Sequence, residues 1–192
     1  MALAGTSAFP YPDPPDDEGL ASRAAHDFAA FAELYQRYLE PVYRYVRSQT
    51  RDRATAEDLT AQVFFKALSA AATFKGDGSY RAWIFTIARN TVASWRADRK
   101  SRLVPIEDLP DPPDPAPSAQ SLAIASEDRA LLWSAVARLP EAQREVVRLR
   151  YRRDLTIEEI ARVTRRSSGA VRVLLHRARA RLGHLLKNRD LP

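Results

Sequence analysis

Residues 156–181 read Thr156-Ile-Glu-Glu-Ile-Ala-Arg-Val-Thr-Arg-Arg-Ser-Ser-Gly-Ala-Val-Arg-Val-Leu-Leu-His-Arg-Ala-Arg-Ala-Arg181. The first four residues form a capping box, in which a Thr hydroxyl and a Glu carboxylate satisfy backbone N–H groups at the start of a helix. A short helix follows, then polar residues at 164–168, with Ser167 or Ser168 as the cap of a longer helix. This order predicts a helix-turn-helix. The apolar positions are Ile160, Ala161 and Val163 in the first helix, and Val171, Leu174, Leu175, Ala178 and Leu182 in the second.

The charge of this stretch indicates its ligand. From Arg162 to Arg181 the sequence has seven arginines and no acid. Releasing counterions from several phosphates gives strong, salt-dependent affinity. The pattern therefore favours DNA binding over an ordinary helical hairpin with a solvated charged face. Arg165 departs from the pattern, because it stands where a turn glycine is common, and a left-handed arginine is strained.

Proline and charge divide the rest of the chain. Four of the 13 prolines lie at 10–15 and six at 105–117, and proline disfavours helix at its own and the preceding position. The formal charge is −3 over 1–26, +5 over 27–104, −6 over 105–128 and +10 over 129–192, in total +6. We predict a disordered tail at 1–24, a helical module at 25–102, an acidic flexible linker at 103–125 and the helix-turn-helix module at 126–188.

Apolar residues recur at helical spacing throughout the first module. A helix that contains Phe28 is expected to restart at Pro41, which suits a first-turn position. Thr55-Ala-Glu-Asp58 has the form of a capping box and predicts the start of a third helix. The two glycines of the loop at 74–79 end that helix.

A fourth helix, at about 79–100, combines an apolar face with an arginine-rich face. Aromatic rings and guanidinium planes stack on unpaired bases, and cations follow the phosphates. The pattern is thus compatible with a single-stranded nucleic-acid surface, and equally with an amphipathic helix that has a solvated face. The polar face carries Arg81, Arg89, Asn90, Arg96, Arg99 and Lys100.

Composition excludes several classes of protein. The chain has no Cys and three scattered His, which argues against disulfides, thiol nucleophiles and a His- or Cys-ligated metal, so no cofactor is expected. It has no P-loop, no paired-carboxylate metal motif and no catalytic triad, so an enzyme acting on nucleic acid is not expected. It has no apolar run of about 18 residues and no secretory-type N-terminus, so we expect a cytoplasmic protein without membrane insertion.

The two modules together resemble an extracytoplasmic-function (ECF, group 4) sigma factor of the sigma-70 family of RNA polymerase subunits. Ala56-Glu-Asp-Leu59 through Val63-Phe-Phe-Lys-Ala67 is similar to the family's region 2.2, and Phe74-Lys-Gly-Asp77 with Ala82-Trp-Ile-Phe-Thr-Ile-Ala-Arg-Asn90 to regions 2.3 and 2.4. Leu139-Pro-Glu-Ala-Gln-Arg-Glu-Val146, Glu158-Glu-Ile-Ala161, Gly169-Ala-Val171 and Leu175-His-Arg-Ala-Arg-Ala-Arg-Leu182 are similar to region 4. The resemblance implies an all-α fold of two small helical domains joined by a flexible linker.

The resemblance also implies a non-catalytic subunit that binds core RNA polymerase, recognises the −35 and −10 promoter elements and helps to melt the −10 element. Region 2.2 would dock on the β′ clamp helices through Asp58, Leu59, Gln62 and Phe65. Region 4 would meet the β flap and read the −35 element through Arg166, Ser168, Arg172, Arg177 and Arg179. An extruded −10 base would be held by the loop and adjoining helix, through Phe74, Lys75, Gly76, Asp77, Ser79, Arg89, Asn90 and Arg96.

Further expectations rest on the same resemblance. An anti-sigma factor is expected as a partner, because it is common for the group. Acids of the linker would mimic nucleic-acid charge inside the polymerase, or the linker would act only as a tether. Where the family usually has Gln-Glu, this chain has Ala61 and Gln62, which removes a carboxylate from the expected polymerase contact. The acids in question are Glu107, Asp108, Asp111 and Asp114.

One alternative function is left open by the residues alone. A stand-alone helix-turn-helix regulator, whose first module senses a signal or dimerises, has the same basic second module. It predicts tight, specific duplex binding without polymerase, which sigma factors of this group generally lack.

Overall fold

The computed structural model describes residues 17–50, 52–74, 78–101 and 131–187, and these segments contain helices and turns and no strand. The predicted all-α class is confirmed. The predicted linker at 103–125, with its four acids, and residues 1–16 of the predicted tail lie outside the described residues. The helices are α1 (Asp17–Arg23), α2 (Phe28–Arg47), α3 (Arg53–Ser69), a 3-10 turn (Ala71–Thr73), α4 (Tyr80–Ser101), α5 (described over 131–137), α6 (Glu141–Tyr151), α7 (Ile157–Thr164) and α8 (Ser168–Lys187).

Helices α2, α3 and α4 pack as a bundle around the apolar face of each helix. Asp27 accepts hydrogen bonds from the Ala29 and Ala30 N–H groups, and so begins α2. Asp52 accepts from the Thr55 N–H at 2.7 Å and begins α3, so the predicted capping box starting at Thr55 is wrong by one turn. The core is built from Leu34, Val42 and Val46 of α2, Val63, Phe64 and Ala67 of α3, and Ile84, Phe85, Ala88 and Val92 of α4.

Helix α2 runs without interruption from Phe28 to Arg47, with Pro41 inside it. The expectation that Pro41 starts a new helix is therefore wrong. A proline removes one hydrogen bond and crowds the preceding turn, and burial on both sides offsets this cost. Leu34 and Tyr38 before the proline, and Val42 and Tyr45 after it, are all buried on the same face.

The predicted disordered tail at 1–24 is wrong for its last eight residues, because α1 covers Asp17–Arg23 and the chain stays packed through Ala24. Leu20, Ala21 and Ala24 are buried against the first bundle. The Asp17 carboxylate accepts hydrogen bonds from Arg37 and Tyr38 of α2. Acidity and nearby prolines indicated disorder, but this carboxylate is paired and the apolar residues share one face.

The second module begins with α5 and α6 and continues into the predicted helix-turn-helix, α7 and α8. The capping box is confirmed: Thr156 Oγ1 accepts from the Glu159 N–H, and the Glu159 carboxylate accepts from the Thr156 N–H. Arg165 ends α7 in the left-handed region, with φ 54° and ψ 44°. Its N–H and that of Arg166 close the helix end on carbonyls of α7.

None of the described helices is long and apolar enough to cross a lipid bilayer.

Replacing Arg165 by glycine should stabilise the fold, because glycine adopts a positive φ without a contact between Cβ and the carbonyl. We expect Arg165→Gly to raise the free energy of unfolding by about 0.5–1 kcal/mol. This is the net gain, because glycine also increases the conformational entropy of the unfolded chain, which offsets part of the relief of strain. Arg165→Ala is the matched control, since it removes the same charge and keeps Cβ. Thermal unfolding that gives equal midpoints for the two variants would contradict a strained turn.

Candidate nucleic-acid interface

Helix α8 presents its predicted DNA contacts to solvent. Val171, Leu175 and Ala178 are buried against α6 and α7, which fixes the rotation of the helix. Ser168 is its first residue and is half-buried, while Ser167 Oγ accepts from the Ala170 N–H at 3.1 Å and is the cap. The exposed predicted residues are Arg166 at the turn and Arg172, Arg177 and Arg179 on the helix.

Two of these arginines have partners within the module. Arg172 pairs with Glu158 at 3.4 Å, and both side chains are 60% exposed. Arg179 donates from Nε and Nη2 to the Tyr151 hydroxyl at 3.1 and 2.7 Å. Exposed pairs of this kind contribute about 0–1 kcal/mol, so a phosphate or a base edge can replace them at small cost.

The first module has a cluster of aromatic rings at the start of α4. Tyr80 lies 5.2 Å from Tyr38, 5.9 Å from Phe74 and 5.5 Å from Trp83, measured between ring centroids. Tyr80 is buried, whereas Phe74 and Trp83 are half-buried at the edge of the cluster. Phe74 is the first residue of the loop at 74–79. Three further predicted contacts in this loop, Lys75, Gly76 and Asp77, lie outside the described residues.

Two arginines of α4 form ion pairs with acids of α6. Arg89 Nε lies 2.7 Å from Glu145 Oε1, and Arg96 Nη1 lies 3.1 Å from Glu141 Oε1. Desolvation lowers the pKa of Arg89, but the hydrogen bond and charge of Glu145 outweigh it and hold the pKa above its usual value. Asn90, between the two, is exposed.

Ser79, just before α4, also contacts the second module, through a hydrogen bond to α7. Ser79 Oγ donates to Glu159 Oε1, the carboxylate that also closes the capping box. The Arg162 guanidinium reaches from α7 to Gly78, where an added Cβ would meet it. The first module's predicted nucleic-acid surface is thus partly covered by the second module.

A cleft lies along this contact between the modules. It brings Arg166 of the helix-turn-helix to the same cavity as Arg89 and Arg96 of α4, so residues from both predicted DNA-binding sets are neighbours. The remaining lining consists of Gln49, Val92, Ala93, Glu141, Ala142 and Glu145.

Helix α3 places three of the four predicted polymerase contacts on its outer face. Asp58 and Gln62 are exposed, and Phe65 is 72% exposed, an unusual position for a phenyl ring. Leu59 is 3% exposed and belongs to the core, so its prediction as a contact residue is wrong. Leu59 follows Asp58 directly in α3. Because each residue of an α-helix is rotated by about 100° from the one before, the Leu59 side chain lies toward the bundle.

The acids that cover α4, namely Glu141, Glu145 and Glu159, were not among the predicted site residues. Glu159 was recognised only as a helix cap, and Glu141 and Glu145 only as part of a family motif. The pairs join residues far apart in the chain, and no local pattern indicates them. Among the described residues, no cluster of three or more His, Asp and Glu side chains is arranged to hold a metal ion.

Comparison with known proteins agrees with this geometry. The family model "Sigma-70 region 2" matches residues 34–102, and "Sigma-70, region 4" matches residues 129–182. Together the two matches cover more than half of the chain, in the order in which the two modules occur. The chain belongs to the sigma-70 family of RNA polymerase sigma factors.

Relatives assign the sigma factor to the ECF group. It is 38% identical over 170 residues to the ECF RNA polymerase sigma factor BldN of Streptomyces coelicolor, an alignment that covers 87% of this chain and 64% of BldN. It is 34% identical to the ECF RNA polymerase sigma factor RpoE of Cereibacter sphaeroides, over 84% of this chain and 89% of that one. The solved structure of the sigma factor RpoE with the anti-sigma factor NepR, from Bartonella quintana, has a TM-score of 0.66 and 26% identity, over 82% of this chain and 96% of that one.

The ion pair between Arg89 and Glu145 should hold the two modules of the sigma factor together. Glu145→Gln leaves a half-buried guanidinium without its counter-charge, so we expect the contact to weaken by about 1–2 kcal/mol and the open fraction to rise. Because the chain has no Cys, spin labels at Ser69→Cys and Gly183→Cys report the distance between the modules without background.

Glu158→Gln is the matched control, because Glu158 pairs with Arg172 inside the second module. Its distance distribution should equal that of the labelled parent. An unchanged distribution for Glu145→Gln would contradict a role of this pair in closing the chain.

Proposed function

We propose that this sigma factor binds core RNA polymerase and directs initiation at promoters that it recognises through both modules. The observation that carries the proposal is the presence of two helical modules with basic, nucleic-acid-type faces, which match regions 2 and 4 of the family in the family's order. It acts without covalent chemistry of its own, in the cytoplasm, where polymerase and promoter DNA meet.

The −35 element is read by α8 in the major groove. The exposed Arg172 lies one turn from the start of the helix, where side chains of a recognition helix reach base edges. Arg166 at the turn and Arg177 and Arg179 further along α8 are exposed and contact phosphates, which position the helix on the duplex. Ser168, at the first position of α8, offers its N–H and hydroxyl to the same backbone.

The −10 element is held by the loop at 74–79 and the adjoining face of α4. Phe74 at the edge of the aromatic cluster offers a ring for stacking, and Asn90 offers an exposed amide for hydrogen bonding. Arg89, Arg96 and Ser79 are engaged by Glu145, Glu141 and Glu159, so this set becomes available only when the modules separate. We therefore infer that polymerase holds the modules apart while the −10 strand takes the place of the acids.

Core polymerase is bound by the outer face of α3, through Asp58, Gln62 and Phe65. A single exposed ring with polar neighbours is the usual composition of an interface hot spot. An anti-sigma factor is a further partner of this chain, on the basis of its likeness to an RpoE whose structure was solved with the anti-sigma factor NepR.

Run-off transcription tests the proposal. Core RNA polymerase from the same organism is supplied with the chain and a library of promoter fragments, and transcripts are sequenced. We expect transcription start sites that share −35 and −10 sequences and that disappear when the chain is omitted. Tight specific duplex binding by the chain alone, with no promoter-dependent RNA, would favour a stand-alone regulator.

Arg172 should contribute to the choice of sequence. Arg172→Ala is expected to cost about 1–3 kcal/mol on the cognate −35 duplex and much less on a scrambled duplex, measured with holoenzyme, because a bidentate contact to a base edge is lost. Arg177→Ala is the phosphate-contact comparison and should weaken both duplexes alike. Equal losses on both duplexes for Arg172→Ala would assign it to phosphate instead.

Phe65 should contribute to polymerase affinity. Phe65→Ala is expected to weaken binding to core polymerase by about 1–3 kcal/mol, because it removes apolar area that the exposed ring buries when polymerase binds. Phe28→Ala is the matched control, because it removes a ring of similar exposure, 76%, from the start of α2. Titration of labelled chain with core polymerase measures both, and equal affinities for the two variants would remove Phe65 from the interface.

A further inference from the structure

Helix α1 contacts both ends of the loop at 74–79. It packs on the 3-10 turn Ala71–Thr73, which precedes the loop, and on α4, which follows it. It lies before residue 34, where the match to region 2 begins, so the contact is not part of what that match describes.

One hydrogen bond joins α1 directly to the end of the loop. The Tyr80 N–H, at the first position of α4, donates to Glu18 Oε1 at 3.2 Å. The first N–H groups of a helix have no partner within the helix, and a carboxylate there is also favoured by the helix dipole. Ser79 Oγ accepts from the Ala82 N–H at 3.3 Å. Glu18 and Ser79 thus each accept a hydrogen bond from one of the first N–H groups of α4.

A second set of contacts joins α1 to the aromatic cluster at the start of α4. The Asp17 carboxylate is 6% exposed and accepts from Tyr38 and from Arg37, the latter at 2.7 Å. The Tyr38 ring is in edge contact with the Tyr80 ring, whose buried hydroxyl has no hydrogen-bond partner among the described residues. Burial and then the hydrogen bond to Asp17 raise the pKa of Tyr38, and burial with the charge of Asp17 raises the pKa of Tyr80.

The contacts form a chain from α1 to the loop. Asp17 holds the Tyr38 ring, Tyr38 packs on Tyr80, and Tyr80 packs on Phe74, the residue at which the loop begins. Glu18 holds the backbone of Tyr80 at the other end of the loop. Contacts that hold the Phe74 ring and the Tyr80 backbone in place lower the entropy that is lost when these groups engage a ligand.

We propose that α1 positions Phe74 and the start of α4 for capture of the −10 base, and that Glu18 is the positioning residue. The inference rests on the proposed function, because that function makes the loop the site of base capture. Glu18 acts through the α4 backbone and does not itself contact the base.

Opening of the −10 element by holoenzyme tests the inference. Permanganate reactivity of the −10 thymines measures opening, while core affinity and binding to a fragment with only the −35 element are measured in parallel. Glu18→Ala should reduce opening about two- to tenfold, which corresponds to one hydrogen bond, and leave the other two measurements unchanged. Glu18→Gln keeps an oxygen acceptor for the Tyr80 N–H and should open the promoter within about twofold of the parent.

Glu40→Ala is the matched control, because it removes one exposed acid that pairs with Arg44 inside α2. It should behave as the parent in all three measurements. Parental opening by Glu18→Ala would overturn the inference, and so would equal defects in Glu18→Gln and Glu18→Ala, because charge and not the hydrogen bond would then matter. A joint loss of opening, core affinity and −35 binding would reduce α1 to a stabiliser of the bundle. A parent chain that opens no promoter at all would instead contradict the proposed function.

Discussion

The pairing of Arg89 with Glu145 is the interaction on which the arrangement of the two modules depends. The two side chains are only 27% and 19% exposed, so neither charge is fully solvated and each needs the other. Arg89 lies on the polar face of α4, whose opposite face supplies Ile84, Phe85 and Ala88 to the core of the first bundle. One helix thus supplies apolar side chains to the core and charged side chains to α6, and it also packs against α7 of the other module.

The charged part of the contact between the modules is exchangeable. The cores of the modules are apolar and do not respond to nucleic acid, whereas the ion pairs of Arg89 and Arg96 can be replaced by ion pairs with phosphate. Half-buried ion pairs lose part of their Coulomb energy to desolvation, so such a replacement changes little in free energy. In the proposed function, the closed arrangement and promoter binding are therefore alternatives that use the same arginines, and a partner that favours one disfavours the other.

The sequence predicted the features that depend on neighbours in the chain. The capping box at Thr156 and Glu159 and the basic outer face of α8 follow from residues within a few positions of each other. Leu59 and Pro41 were misjudged because their environment is set by packing across the bundle. The pairs of Glu145 with Arg89 and of Asp17 with Tyr38 join residues 56 and 21 positions apart, and no periodicity indicates them.

The start of α4 shows how these long-range contacts meet. Glu18 of α1 accepts from the Tyr80 N–H, and Glu159 of α7 accepts from the adjacent Ser79 hydroxyl. Both acids act at the same helix end, but they belong to elements with different freedom: α1 is packed into the first bundle, whereas α7 belongs to the other module. When the modules separate, Ser79 is released and Tyr80 stays held. Ser79 can then accept a new partner while the start of α4 keeps its hydrogen bond to α1, which requires that the two carboxylates come from two separate parts of the chain.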